Sequence, residues 1–119
     1  MKEDKDNLIV IESKAFAIRC IRLYQYLTDN KKEFVMCRQL LRCGTSIGAN
    51  VKEALRGQSK ADFGAKMNIA LKEANESEYW LELLLETDYI SQEGFDSMID
   101  DCKRLIRLLT AIVKTTFNK

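Results

Sequence analysis

Histidine is absent from this chain, and that omission removes much of the chemistry open to a small soluble protein. Ser-His-Asp and Cys-His nucleophile systems, His-ligated zinc and the commonest general base near neutral pH all need the imidazole. Thiols, carboxylates and cations remain. The four cysteines, Cys20, Cys37, Cys43 and Cys102, include no C-x-x-C pair of the kind that zinc or redox sites use. Cys37 and Cys102 fall at helical spacing among apolar residues, where a thiol behaves as a small hydrophobe. Reduced thiols inside a cell are the expectation. Glu53, Glu73 and Glu76 are the carboxylates placed to share an interior. Di-iron sites in helical bundles require Glu-x-x-His pairs, however, and three acids alone suit ordinary ion pairing. The expectation is no enzyme, no cofactor and no metal. Glu73 or Glu76 would instead be buried against Arg38, Arg42 or Lys52 across an interface, fixing register more than adding stability.

The cations are the remaining candidates, and their order says more than their sum. Lys plus Arg number 19 and Asp plus Glu 18, for a net charge of +1. Residues 1–72 hold 14 basic and 8 acidic side chains, 73–102 hold none and 10, and 103–119 hold 5 and none. The three stretches therefore carry +6, −10 and +5. Such a polarised molecule can turn a positive surface toward phosphate although its total is near zero.

The elements that must position these groups are helices. A chain of 119 residues suits one domain with one core, spanning residues 1–119. Proline is absent and glycines number only 5, so nothing obliges a long helix to break. Turn and cap residues gather at three places: Thr28-Asp29-Asn30, Gly57-Gln58-Ser59, and Asp88 to Ser91. Asn30 is placed to cap a helix whose third residue is Glu33, Ser59 and Asp62 have capping-box spacing, and Ser91 precedes Glu93 in a first turn. The spacing predicts helices over 7–28, 31–56, 60–87 and 92–116.

Apolar periodicity agrees. The second segment shows a stripe of Phe34, Cys37, Leu41, Gly44, Gly48, Val51 and Leu55. The third shows Phe63, Met67, Ala70, Ala74, Ser77, Leu81 and Leu84. The fourth shows Phe95, Met98, Ile99, Cys102, Leu105, Ile106, Leu109, Ile112 and Val113. Three-and-four spacing is helical, where a strand would alternate. Short connections favour antiparallel neighbours, so the fold class is all-α, an up-down-up-down antiparallel four-helix bundle. Gly44 and Gly48 do not open a phosphate loop, which needs a strand before it. Folding the hairpin near residue 58 is expected to set them opposite Ala70 and Ala74 for close backbone approach. No apolar run is long enough for a membrane span. The charged start, MKEDKDN, followed only by Leu8 to Ile11, gives no secretory signal, so a cytoplasmic protein is expected.

Two surfaces follow from this topology. The third helix carries Ile69, Trp80 and Leu83, with Glu73 and Glu76, off its core stripe. A mixed face holding the lone tryptophan suggests contact with another subunit. The ends of the second and fourth helices should also meet the start of the third. Lys52, Arg56, Lys60, Lys66, Lys103, Arg104, Arg107 and Lys114 would then gather toward one end, with Glu82, Glu86, Asp88, Glu93 and Asp96 at the other.

Two segments carry a resemblance. LLRCGTSIGANVKEA, from Leu40 to Ala54, and LKEANESEYWLELL, from Leu71 to Leu84, resemble the signature segments of the 23S rRNA-intervening-sequence protein family, and the match extends over about residues 15 to 113. The specific features are Ser46-Ile47, Ala49-Asn50, Glu53-Ala54, and Glu76 before Tyr79-Trp80-Leu81. Cys43-Gly44 departs from the small polar residue and alanine that members often show. The resemblance implies a four-helix bundle that assembles as a homopentameric ring and brings no catalytic residues. Some members are encoded inside insertions in bacterial ribosomal RNA genes. The family is similar to the accessory protein of diversity-generating retroelements, a basic pentamer that binds nucleic acid and a reverse transcriptase; this chain lacks that overall basic charge. The functional expectation is a non-enzymatic homo-oligomer that binds RNA, or an RNA-binding protein, through its basic end. The alternative is a protein-interaction scaffold without nucleic-acid binding.

Overall fold

The four segments form α1 (Asp4–Asn30), α2 (Met36–Leu55), α3 (Lys60–Glu86) and α4 (Gln92–Asn118) in a computed structural model that describes residues 4–118, with side chains from residue 8 onward. The helices lie side by side in a rod of 45 × 20 × 19 Å. α1 packs on α2 and α4, and α3 packs on the same two, so α1 and α3 occupy diagonal corners. Contacts that run in opposite senses make neighbours antiparallel: Arg42–Glu76 with Lys66–Glu53 for α2 and α3, Arg19–Asp101 with Arg104–Glu12 for α1 and α4, and Gly44 beside Cys20 with Gly48 beside Ser13 for α1 and α2. The fold is the expected up-down-up-down bundle.

The third and fourth stripes form the core as their spacing requires. Met67, Ala70, Ala74, Ser77, Leu81 and Leu84 are buried on α3, and Met98, Ile99, Cys102, Leu105, Leu109 and Ile112 on α4. α1 supplies Ile9, Phe16, Cys20 and Leu27. On α2 the buried line is Cys37, Leu40, Cys43, Gly44, Ile47, Val51 and Ala54. It is rotated from the expected stripe, leaving Leu41 and Leu55 half-buried and Phe34 exposed in a loop.

Phe34 falls outside α2 because the helix starts later than expected. The expected 31–56 helix begins at Met36, and Asn30 ends α1 rather than capping α2. Lys32 adopts a left-handed φ of 55°, and the Leu27 carbonyl accepts from the amides of Lys31 at 3.2 Å and Glu33 at 3.1 Å. The turn delivers the Glu33 carboxylate to the start of α2, where it accepts from the amides of Val35 at 2.9 Å and of Met36 and Cys37 at 2.8 Å. Those donors have no carbonyl partner inside the helix. The other caps form as expected. Ser59 Oγ accepts from the Asp62 amide and Ser91 Oγ from the Gly94 amide, both at 3.0 Å.

The glycine expectation is corrected. A Cβ added to Gly44 would lie 2.4 Å from Cys20 Sγ, and one on Gly48 would lie 3.4 Å from Ser13 Oγ. Both glycines therefore admit α1, not Ala70 and Ala74 of α3. Beside Gly44 the core forms a polarizable layer drawn from every helix. Cys20 comes from α1, Cys43 from α2, Ser77 from α3 with its hydroxyl 3.2 Å from Cys43 Sγ, and Cys102 from α4, donating to the Ala74 carbonyl at 3.3 Å. Cys37 lies nearer the Glu33 cap, and all four thiols are free and buried.

Candidate nucleic-acid interface

The expected basic end resolves into two groups. α2 ends at Leu55, α3 begins at Lys60 and α4 ends at Asn118. Gly64 and Phe117 touch, placing the last two termini together. Lys52, Arg56, Lys60 and Lys114 thus share one tip, and all are exposed. None of these four forms an ion pair among the described residues.

The remaining cations do not complete that patch. Lys66 lies near the tip but pairs with Glu53 at 3.5 Å and Asp62 at 3.8 Å. Arg104 stands about 21 Å from the end of α4 at 1.5 Å per residue, and Lys103 lies one residue farther along the chain from that end. Lys103 pairs with Glu78 at 3.8 Å, and Arg104 with Glu12 at 3.1 Å and Asp101 at 3.5 Å. The Glu12 hydrogen bond and charge push the Arg104 pKa further up. Arg107, also mid-rod on α4, is exposed. Exposed pairs contribute little stability, but they place a carboxylate where a phosphate would have to sit. The opposite end gathers exposed Glu82, Glu86, Asp88, Glu93 and Asp96, as the charge order requires.

Glu73 and Glu76 are paired within the chain. Arg42 reaches Glu76 Oε2 at 2.7 Å and Glu73 Oε1 at 3.8 Å, and Trp80 Nε1 donates to Glu76 Oε2 at 3.0 Å. Glu73 Oε1 is buried and accepts no hydrogen bond. Trp80 and Leu83 are half-buried, while Ile69 is 41% exposed. Tyr79 packs edge-on against Trp80 with ring centroids 5.3 Å apart. These residues form one mixed flank on the α2 side of α3.

Two features escaped the sequence reading. α1 exposes Leu8, Ile11 and Ile18, the last two at 64% and 46%. Their three-and-seven spacing is legible once a second stripe is sought beside the core line. Lys14 is the second, since block sums of charge do not show which flank of α1 a single lysine occupies. It shares a flank of α1 with Val10 and Ala17 and faces Lys52 across a cavity of about 330 Å³, floored by Gly48 and Ala49.

Among the described residues, no group of three or more Cys, Asp or Glu side chains is arranged to hold a metal ion. No helix there is long and apolar enough to cross a membrane. None of the curated proteins matches the chain. Among solved structures, the chain is similar to a protein of unknown function from the S23 ribosomal protein family of Bacteroides thetaiotaomicron VPI-5482. The two share 54% identity with a TM-score of 0.91, over 92% of this chain and 98% of that one. The family model described as 23S rRNA-intervening sequence protein matches residues 5–111. With nearly its whole length matched by that model, the chain belongs to the 23S rRNA-intervening sequence protein family.

Proposed function

We propose that the protein is a non-enzymatic, cytoplasmic homo-oligomer that binds RNA or an RNA-protein complex through the tip formed by Lys52, Arg56, Lys60 and Lys114. The observation that carries this reading is the exposure of those four cations without carboxylate partners among the described residues. Phosphate contacts release counterions, and each one on a single strand adds about −0.7 to the slope of log affinity on log salt. Four contacts predict a slope of about −2.8. Arg56→Glu with Lys60→Glu should weaken RNA binding more than about twentyfold near 0.1 M salt while leaving helicity unchanged. Unchanged affinity in that variant would remove the tip as the site.

Self-association is supported by two unlike faces at diagonal corners. One is the Ile69, Glu73, Glu76, Trp80 and Leu83 flank of α3, and the other is the Leu8, Ile11 and Ile18 line of α1. A head-to-tail contact between unlike faces closes into a ring when the rotation fits. The homopentamer implied by the family resemblance is the ring we propose, and its similarity to the retroelement accessory protein belongs to the same reading. Trp80→Ala should weaken assembly about thirtyfold, the effect of losing a 2 kcal/mol interface anchor. Light scattering that shows an intact oligomer, with circular dichroism unchanged, would count against Trp80.

A protein-interaction scaffold is the second reading. It is favoured by the carboxylates that occupy Lys66, Lys103 and Arg104 and by the net charge of +1. RNA affinity that is absent, or flat with salt, selects it.

A further inference from the structure

Deepening the nucleic-acid reading, on which it rests, we infer that a single RNA strand leaves the tip along the groove between α1 and α2. Arg56, Lys52 and Lys14 would hold its phosphates, and its sugars would lie on the floor between the helices. This seam combines a hollow with cations that form no ion pair among the described residues. The cavity of about 330 Å³ has Lys14 on one rim and Lys52 on the other, and Val10, Ala17, Gly48 and Ala49 between them. Gly48, which lines it beside Ser13, has no side chain to fill it. A sugar-phosphate unit fits such a hollow, and a duplex does not.

The charges continue the path. At 100° per residue, Thr45, Ala49, Lys52 and Arg56 share the outward face of α2 without an acid among them, up to Arg42, which Glu76 and Glu73 hold toward α3. Lys52 and Arg56 are separated by about 6 Å of axial rise. Other routes from the tip meet carboxylates. The outward face of α4 runs from Arg107 to Asp100, Asp96 and Glu93, and at the α1–α4 seam Arg19 is held by Asp101 at 2.8 Å. The proposed oligomer faces lie on the α2 side of α3 and the outer side of α1, whereas Gly48, Ala49 and Lys52 belong to neither. No aromatic residue lines it, so the contact is made through the backbone and tolerates any base.

The test is fluorescence anisotropy with labelled oligouridylate on the full chain. Lys14→Gln with Lys52→Gln should weaken binding about 25-fold at roughly 0.1 M salt and reduce the salt slope by about 1.4, the effect of two lost contacts. Arg22→Gln with Lys72→Gln, both exposed and outside the candidate set, removes equal charge elsewhere and should change affinity less than about threefold. Ala49→Glu, at an exposed position on the floor, should abolish binding, whereas Ala49→Gln should weaken it far less. Equal losses in the two double variants would show a response to net charge alone and overturn the groove while leaving the tip in place. Full affinity in Lys14→Gln with Lys52→Gln would overturn the groove and strike Lys52 from the tip, leaving Arg56, Lys60 and Lys114 to be decided by Arg56→Glu with Lys60→Glu. If the unaltered protein binds no oligouridylate, both the groove and the nucleic-acid reading fall.

Discussion

Replacing Glu33 by alanine is expected to lower stability by about 3 kcal/mol, since one carboxylate satisfies three amides at the start of α2. The side chain is only 6% exposed, and the Cys37 amide it serves is buried. Removing the acceptor leaves donors that water reaches poorly. A urea titration should show the midpoint falling with an unchanged slope. A shift equivalent to less than about 1 kcal/mol would mean that the helix start re-forms without its cap.

The same carboxylate gives stability a pH dependence. Burial alone pushes the Glu33 pKa up, but the amides of Met36, Cys37 and Val35, with the Cys37 thiol, outweigh it and hold the group below its ordinary value of 4.5. A depressed folded-state pKa stabilises above the unfolded value, and that contribution is lost as pH falls through the folded one. Stability should therefore begin to fall below pH 4.5, and Glu33→Gln should flatten that part of the profile. An identical profile in the glutamine variant would assign the acid sensitivity to another carboxylate.

The second large effect separates two glycines by what stands beside them. Gly44→Val is expected to cost about 3 kcal/mol and Gly44→Ala about 2, although alanine is the better helix former by up to about 1. The added Cβ would lie 2.4 Å from Cys20 Sγ and 3.1 Å from Cys20 Cβ, both buried between α1 and α2. Gly64 looks worse by distance, with Phe117 Cζ only 2.3 Å away, but Phe117 is 55% exposed and can swing aside. Gly64→Ala should therefore stabilise by up to about 1 kcal/mol. Cys20→Ala in the Gly44→Ala background should restore part of the loss. The same sign for both glycine-to-alanine changes would refute the packing account.

The bundle was legible because α3 and α4 each keep one core line at helical spacing, apolar except for Ser77, and Ser59 and Ser91 cap as their types suggest. The start of α2 was not. Asn30 followed three residues later by Glu33 looks like a capping box, yet the acid acts alone from a loop after a lysine in a left-handed turn, where glycine or asparagine is the usual signal. The partner of Gly44 and Gly48 was misread because a helical wheel gives the direction of the core but not which neighbour fills it. The tip was only partly legible. Lys103 opens a basic block in sequence, but height along a rod is set by distance from the helix end, so it and Arg104 fall at the middle among acids from α1 and α3.

The cysteine layer makes the rod its own clock. Each thiol is at most 1% exposed. Burial raises all four pKa values, to about 11 for Cys37 and Cys43, about 12 for Cys102 and higher still for Cys20. A sulfur in that state reacts with a disulfide reagent only after the surrounding helices part. Modification at Cys37 times the loosening of the capped end, while modification at Cys20, Cys43 and Cys102 times the separation of the midsection, so breathing motions of the protein can be followed with no label added.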